Sequence, residues 1–291
     1  MPKRLPRTRT LKGDVKLAHY DSVTGVAGEP PIVLLHASLM RSEDWENVFP
    51  RLATRYRTIA YDIRGHGKSA RAADYSLRAF ADDALHVLRD LAKAPAVLIG
   101  HSLGGLTALA AAAEAPELVA ALVLEDPALS YGAAWPAATY GPLRDALVAS
   151  EPAALRKAVD RLPLSSPGPR GERTYGEMRG FYAAERVITY FKDIDPAFLD
   201  ARMAAEDAKP LIDGWLERIA APTLVIAGEP RLGSNVDDAA EWRLRKSGAA
   251  KDLTVKRFPG TGHVIHGYRP EQFLENLEPF LRRIRSGGAA T

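Results

Sequence analysis

The chain contains no cysteine. Disulfides, thiolate catalysis and Cys-ligated metals are therefore excluded, and the composition fits a reducing, cytoplasmic compartment. Charge of one sign is also scarce: 39 basic against 36 acidic residues leave a formal +3, too small an excess to mark a polyanion-binding protein. Six basic residues (Lys3, Arg4, Arg7, Arg9, Lys12, Lys16) crowd the N-terminal stretch, which reads as a solvated tail. No basic patch is interleaved with aromatics, so no nucleic-acid partner is expected. Unbroken apolar runs of membrane-spanning length are missing too, and no membrane partner is expected. The longest candidate, "LTALAAAAEAPELVAALVL", is interrupted by Glu114, Pro116 and Glu117 and reads as helix, loop, strand. The basic start is followed by "TLKGDVKLAHYD" rather than by the apolar stretch of a secretory signal. No internal repeat is visible.

What is present is strand–helix alternation. Short runs rich in Val, Ile and Leu occur at 31–36, 57–62, 96–100, 121–126 and 223–228, with a weaker one at 253–259. Apolar runs of this length suit parallel strands covered on both faces. Between them, residues 77–92 and 269–285 space their apolar positions at helical intervals, and Ser76 stands where an N-cap belongs. The pattern predicts an α/β protein with a doubly wound, mostly parallel sheet. An antiparallel hairpin turning at Gly13-Asp14 is expected before it. Between the fourth and fifth main strands the pattern stops, and an Ala-rich, helical stretch follows. The expected organisation is a core from 1–129 and 217–291, with a helical lid at 130–216.

"GHSLGG" (100–105) lies between a strand and a helix. This is the context that the G-x-S-x-G nucleophile elbow requires. The turn exposes Ser102, and the N–H of Leu103 opens the helix, where unpaired donors favour an anion. On this motif, and on "LLHAS" (34–38), "YDIRGHGKSA" (61–70), "APTLVIAGE" (221–229) and "FPGTGHVIH" (258–266), the chain resembles the α/β-hydrolase fold family. The matches keep their order from about residue 30 to the C-terminus, leaving out the lid.

The resemblance implies a Ser–His–acid site. His263, in a Gly-flanked loop after the last strand, is its expected base, and His266 is the rival. His36 and His66 fall in turn motifs and are expected to be structural, as is Asp62. His101 is the variable residue inside the elbow, and His19 and His86 read as packing or surface residues. The implied oxyanion hole consists of the N–H groups of Ser38 and Leu103. The family has His-Gly before that serine where this chain has His36-Ala37. Alanine tolerates positive φ poorly, so the loop is expected to differ slightly.

A gap remains. At the family's usual acid position, after the strand at 223–228, stand Glu229, Pro230 and Arg231. Arginine cannot orient a histidine that must become cationic. The resemblance offers a second place, the end of the preceding strand, used in haloalkane dehalogenases and fungal lactone hydrolases. Asp126 occupies it, and its neighbour Glu125 should point the other way because side chains alternate along a strand.

A serine nucleophile suits acyl transfer. The expected function is hydrolysis of a carboxylic ester or lactone through an acyl-enzyme on Ser102, His263 and Asp126, with no cofactor and no metal. Carbon–carbon bond hydrolysis, perhydrolysis and a small-molecule receptor remain alternatives on the same residues. Tyr131, Trp135 and Tyr140 are candidate pocket walls.

Overall fold

The computed structural model describes residues 8–130, 134–168, 170–206 and 208–287. The hairpin forms first, from β1 (Arg9–Leu11) and β2 (Leu17–Asp21), with Leu11 opposite Leu17. Arg9 thus belongs to the exposed edge strand, while Lys3, Arg4 and Arg7 lie outside the described residues. The apolar runs become β3 (Ile32–Leu35), β4 (Thr58–Tyr61), β5 (Ala96–His101), β6 (Val119–Glu125) and β7 (Thr223–Ala227), and the weaker one becomes the half-exposed β8 (Leu253–Arg257). One eight-stranded sheet results, in the order β1-β2-β4-β3-β5-β6-β7-β8. Only the β1–β2 and β2–β4 pairings are antiparallel.

The unbroken apolar runs make sense because both faces are covered. Val33, Leu35, Ile59 and Leu98 point into one core, while Ile32, Leu34, Val97, Ile99 and Val123 point into the other beside Trp45 and Phe273. Among the described residues eleven α-helices flank the sheet. Four follow strands or enter the first half of the fold: α1 (Phe49–Leu52), α2 (Leu77–His86), α3 (Leu103–Glu114) and, after β6, α4 (Ala137–Ala149). The remainder are α5 (Pro152–Arg161), α6 (Tyr182–Ile188), α7 (Pro196–Met203), α8 (Lys209–Arg218), α9 (Asp238–Arg245), α10 (Ile265–Tyr268) and α11 (Pro270–Gly287). The Ser76 hydroxyl accepts from the Ala79 N–H at 3.2 Å and caps α2 as expected. α3 is buried along nearly its whole length, and its run of alanines lets it lie close against the sheet.

Helices α4 to α8 all fall between β6 and β7. Prolines near the starts of α5, α7 and α8 divide the stretch into short helices, since proline is well suited to a helix's first turn. α4 packs on α5 and α7, and α8 packs on α3. There Trp215 Nε1 donates to Glu114 Oε1 at 2.8 Å. Among the described residues no helix is long and apolar enough to cross a membrane.

The chain passes from β3 outward to β4 and returns to β5 on the other side of β3. Such a reversal opens a crevice at the carboxyl ends of the two strands. The segments leaving β3 and β5 at that end carry Ser38 and Ser102. The turn is tight: a Cβ on Gly104 would lie 2.2 Å from the Leu35 carbonyl oxygen, and one on Gly100 would lie 2.2 Å from the Gly104 carbonyl oxygen. Gly104→Ala should therefore force β3 and α3 apart and cost about 3 kcal/mol or more in a urea melt. An unchanged unfolding midpoint would contradict this packing.

Candidate active site

Ser102 sits between β5 and α3 at φ 54°, ψ −113°, a strained conformation for a residue with a side chain. The turn is fixed by its backbone. The Ser102 N–H donates to the Glu125 carbonyl at 3.0 Å, and the Ser102 carbonyl accepts from the N–H groups of Leu106 and Ala128. Ser102 lines a cavity of about 570 Å³ together with Ser38, His101, Asn235 and His263. Trp135 and Tyr140 line it as well, with stacked rings 4.4 Å apart. Tyr131 lies outside the described residues.

The Ser38 loop is held by the two turn histidines. His36 Nε2 accepts from the Ile63 N–H at 2.9 Å, and His66 Nε2 accepts from the Leu39 N–H at 3.2 Å. An accepting ring nitrogen must be unprotonated. Burial supplies that condition, lowering His36 to about 4 and His66 to about 3. The loop does take a positive φ, at Leu39 (65°) rather than at Ala37. Alanine is thereby accommodated after His36. Asp62 sets the neighbouring turn by accepting from the N–H groups of Ser42 and Lys68, each at 2.8 Å.

β6 ends in two adjacent carboxylates, both fully buried, and each meets one histidine of "GHVIH". Asp126 Oδ2 lies 2.5 Å from His263 Nδ1. Glu125 Oε2 lies 2.7 Å from His266 Nδ1, and Glu125 Oε1 accepts from the N–H groups of Ile265 and His266. Asp126 turns towards His263 through a positive φ of 43°. Its oxygens are satisfied by the loop that lacked an acid: the Ser234 hydroxyl donates to Oδ1, and the Asn235 N–H donates to Oδ2 at 2.8 Å. Glu229 instead pairs with Arg231 and the Gly260 N–H, and Asp237 caps α9. Sequence reading missed Ser234 and Asn235. No local signal set them apart from other loop serines and asparagines.

His263 itself is fixed through its backbone. The Ser166 hydroxyl, in the segment between β6 and β7, accepts its N–H at 2.6 Å. His101 Nε2 donates to its carbonyl at 3.0 Å. His101 is fully buried, and burial lowers it to about 4, so it stays neutral. Neither contact was legible in the sequence.

His266 behaves oppositely. Burial opposes its charge, but Glu125 and Asp44 outweigh burial and raise it to about 10. Its Nε2 lies 3.2 Å from Asp44 Oδ2, and its ring stacks on Trp45 at 4.1 Å. Asp44, His101 and His266 present ligand-type atoms within 4.8 Å of one another. With both His266 nitrogens committed to carboxylates as a cation, the group fits an internal ion cluster better than a metal site.

A family described as "alpha/beta hydrolase fold" matches residues 30–270. A 2-(acetamidomethylene)succinate hydrolase of Mesorhizobium japonicum is 28% identical over 264 residues, covering 87% of this chain and 89% of that protein. An sn-1-specific diacylglycerol lipase of Mus musculus is 26% identical over 275 residues, covering 90% and 84%. The crystal structure of an esterase of Rhodococcus sp. superposes with a TM-score of 0.73 at 24% identity, covering 97% of this chain and 100% of that one.

The ion cluster makes a pH prediction. A histidine whose folded pKa is raised contributes stability that is fully present below its unfolded value of 6.5 and is lost as pH rises through about 10. The His266 share of the thermal stability should therefore decline across that window. In ¹⁵N-histidine spectra at pH 8 both His266 nitrogens should be protonated. A neutral His266 ring at pH 8 would contradict the cluster.

Proposed function

The chain belongs to the α/β-hydrolase fold family, and on that premise we propose that it is a serine hydrolase cleaving a carboxylic ester or lactone. Ser102 is the nucleophile, His263 the base and Asp126 the orienting acid. The N–H groups of Leu103 and Ser38 form the oxyanion hole, and 130–216 is the lid over the cavity. The observation that carries this reading is the 2.5 Å contact between His263 Nδ1 and a fully buried Asp126, beside a strained serine opening into the same cavity.

The chemistry follows from where the protons sit. Nδ1–H donates to Asp126, which leaves Nε2 as the free lone pair. Nε2 takes the Ser102 proton as Oγ bonds to the acyl carbon, and the carbonyl oxygen gains charge facing the two N–H groups. The bond to the leaving oxygen then breaks, and His263 returns the proton to that oxygen. Water repeats the sequence on the acyl-Ser102 ester and regenerates the enzyme. The serine supports an acyl intermediate, and the relatives named as hydrolase, lipase and esterase are consistent with transfer of an acyl group to water.

A fluorophosphonate probe should add one label, absent from Ser102→Ala. Repeated turnover of p-nitrophenyl butyrate separates an enzyme from a binding protein, which would give at most one slow burst. Asp126→Asn should lower kcat by roughly 10⁴, by analogy with other triads, whereas Glu125→Gln should cost far less. Ser234→Ala, which removes one donor to the carboxylate, should lower kcat about 10-fold with little change in KM. Labelling that survives Ser102→Ala, or an Asp126→Asn variant of full activity, would refute the assignment.

A further inference from the structure

The stretch "PLSSPG" at 163–168 is stiff by composition. A proline holds the residue before it to extended conformations. Pro163 thus ends α5 at Leu162, which takes φ −66°, ψ 136°, and Pro167 restricts Ser166 in the same way. The extended strand pairs with chain that follows it. The Leu164 N–H donates to the Arg173 carbonyl at 2.8 Å, the Tyr175 N–H to the Leu162 carbonyl at 3.1 Å and the Gly168 N–H to the Glu172 carbonyl at 2.9 Å. A short two-stranded arm results, inside the segment proposed as the lid.

One strand of this arm is pressed against both loops of the site. Gly233 has a φ of 93°, and a Cβ there would lie 2.2 Å from the Ser165 carbonyl oxygen. A Cβ on Gly262 would lie 2.3 Å from Ser166 Oγ. Gly233 immediately precedes Ser234 and Asn235, which hold Asp126, and Gly262 immediately precedes His263. Ser165 and Ser166 therefore touch the loop that holds the acid and the loop that carries the base. Ser166 is 8% exposed, and its hydroxyl accepts the His263 N–H at 2.6 Å. Without that acceptor a buried N–H must shift to reach another partner or bear its desolvation. Glu125 takes the N–H groups of Ile265 and His266, further along the loop, so a shift would fall on His263 itself. Pro163 and Ser165 line the cavity that Ser102 shares, whereas Ser166 is not among its walls.

We propose that Ser166 is a positioning residue: by accepting the His263 N–H it sets the imidazole against Asp126 and Ser102, so that the base is complete only while the arm is seated. This rests on the serine-hydrolase reading above and adds a control on the same site. Because Ser166 meets the backbone of the base and stands off the cavity wall, its loss should act on the chemical step and not on substrate binding.

The test measures kcat and KM for p-nitrophenyl butyrate. Ser166→Ala should lower kcat about 10- to 100-fold, the scale of a small misplacement of a catalytic group, with KM changed less than about 2-fold. The rate of fluorophosphonate labelling at Ser102 should fall in parallel. Asp193→Asn is the control for a merely loosened lid. It breaks another contact of the same segment, the 2.7 Å ion pair with Arg41, without touching His263, and should keep kcat within about 2-fold. A Ser166→Ala variant with wild-type kcat, a loss carried by KM, or an equal loss in Asp193→Asn would overturn the proposal. Native-state hydrogen exchange of the wild-type chain reads the same bond with no variant and no turnover. The His263 amide should be no better protected than the arm amides of Leu164 and Tyr175, since it opens with them. Protection of His263 more than about 10-fold above theirs would overturn the proposal. If the hydrolase reading fails, neither turnover nor labelling is seen in the wild type, and the exchange measurement still decides whether the arm holds His263.

Discussion

Two carboxylates adjacent in sequence end β6 facing opposite ways. That opposition organises the centre of the molecule. Asp126 reaches His263 and Glu125 reaches His266, three residues further on. A single strand end thus holds both histidines of one short loop. The environments differ where they need to. Around His266 two carboxylates favour the cation, with Arg186 3.7 Å from Asp44 to balance the buried charge. Around His263 there is one carboxylate and an open cavity. The first environment ties the loop down, and the second leaves His263 beside the cavity for the chemistry proposed above.

The His263 loop is clamped by groups from distant parts of the chain. Glu125 fixes the turn after it, His101 its carbonyl, and Ser166 its N–H. Gly262 allows the approach, since a Cβ there would lie 2.0 Å from the Leu232 carbonyl oxygen. Ser166 comes from the helical segment between β6 and β7, so the piece proposed as a lid also positions the proposed base. Movement of that segment would disturb the base as well as the pocket. The same segment carries Trp135 and Tyr140, which line the cavity.

Much of the sheet could be read from the sequence because parallel strands buried on both faces leave unbroken apolar runs. The half-exposed β8 was correspondingly faint. The turn around Ser102 was legible because glycine is required where Gly104 meets the Leu35 carbonyl. Asp126 was pointed to by the missing acid at 229–231 together with the resemblance, which offers the end of the preceding strand as a second place for a carboxylate. Long-range contacts carried no local signal. Asn235 meets Asp126 across 109 residues, Ser166 meets His263 across 97, and His266 meets Asp44 across 222. Serine and asparagine in loops are common, and only folding shows which of them face a buried charge. The positive φ at Leu39 was likewise invisible, because the sequence directed attention to Ala37 two residues earlier.

The proposed chemistry depends on Asp126 accepting the proton of His263 Nδ1. Proton spectra of the protein labelled with ¹⁵N-histidine test that bond without relying on any substrate. Ser102→Ala protein should show a far-downfield Nδ1–H signal assigned to His263. That signal should disappear in Ser102→Ala/Asp126→Ala and persist in Ser102→Ala/Glu125→Gln, while the His266 signals respond in the reverse pattern. A His263 Nδ1–H signal that survives loss of Asp126 would contradict the account.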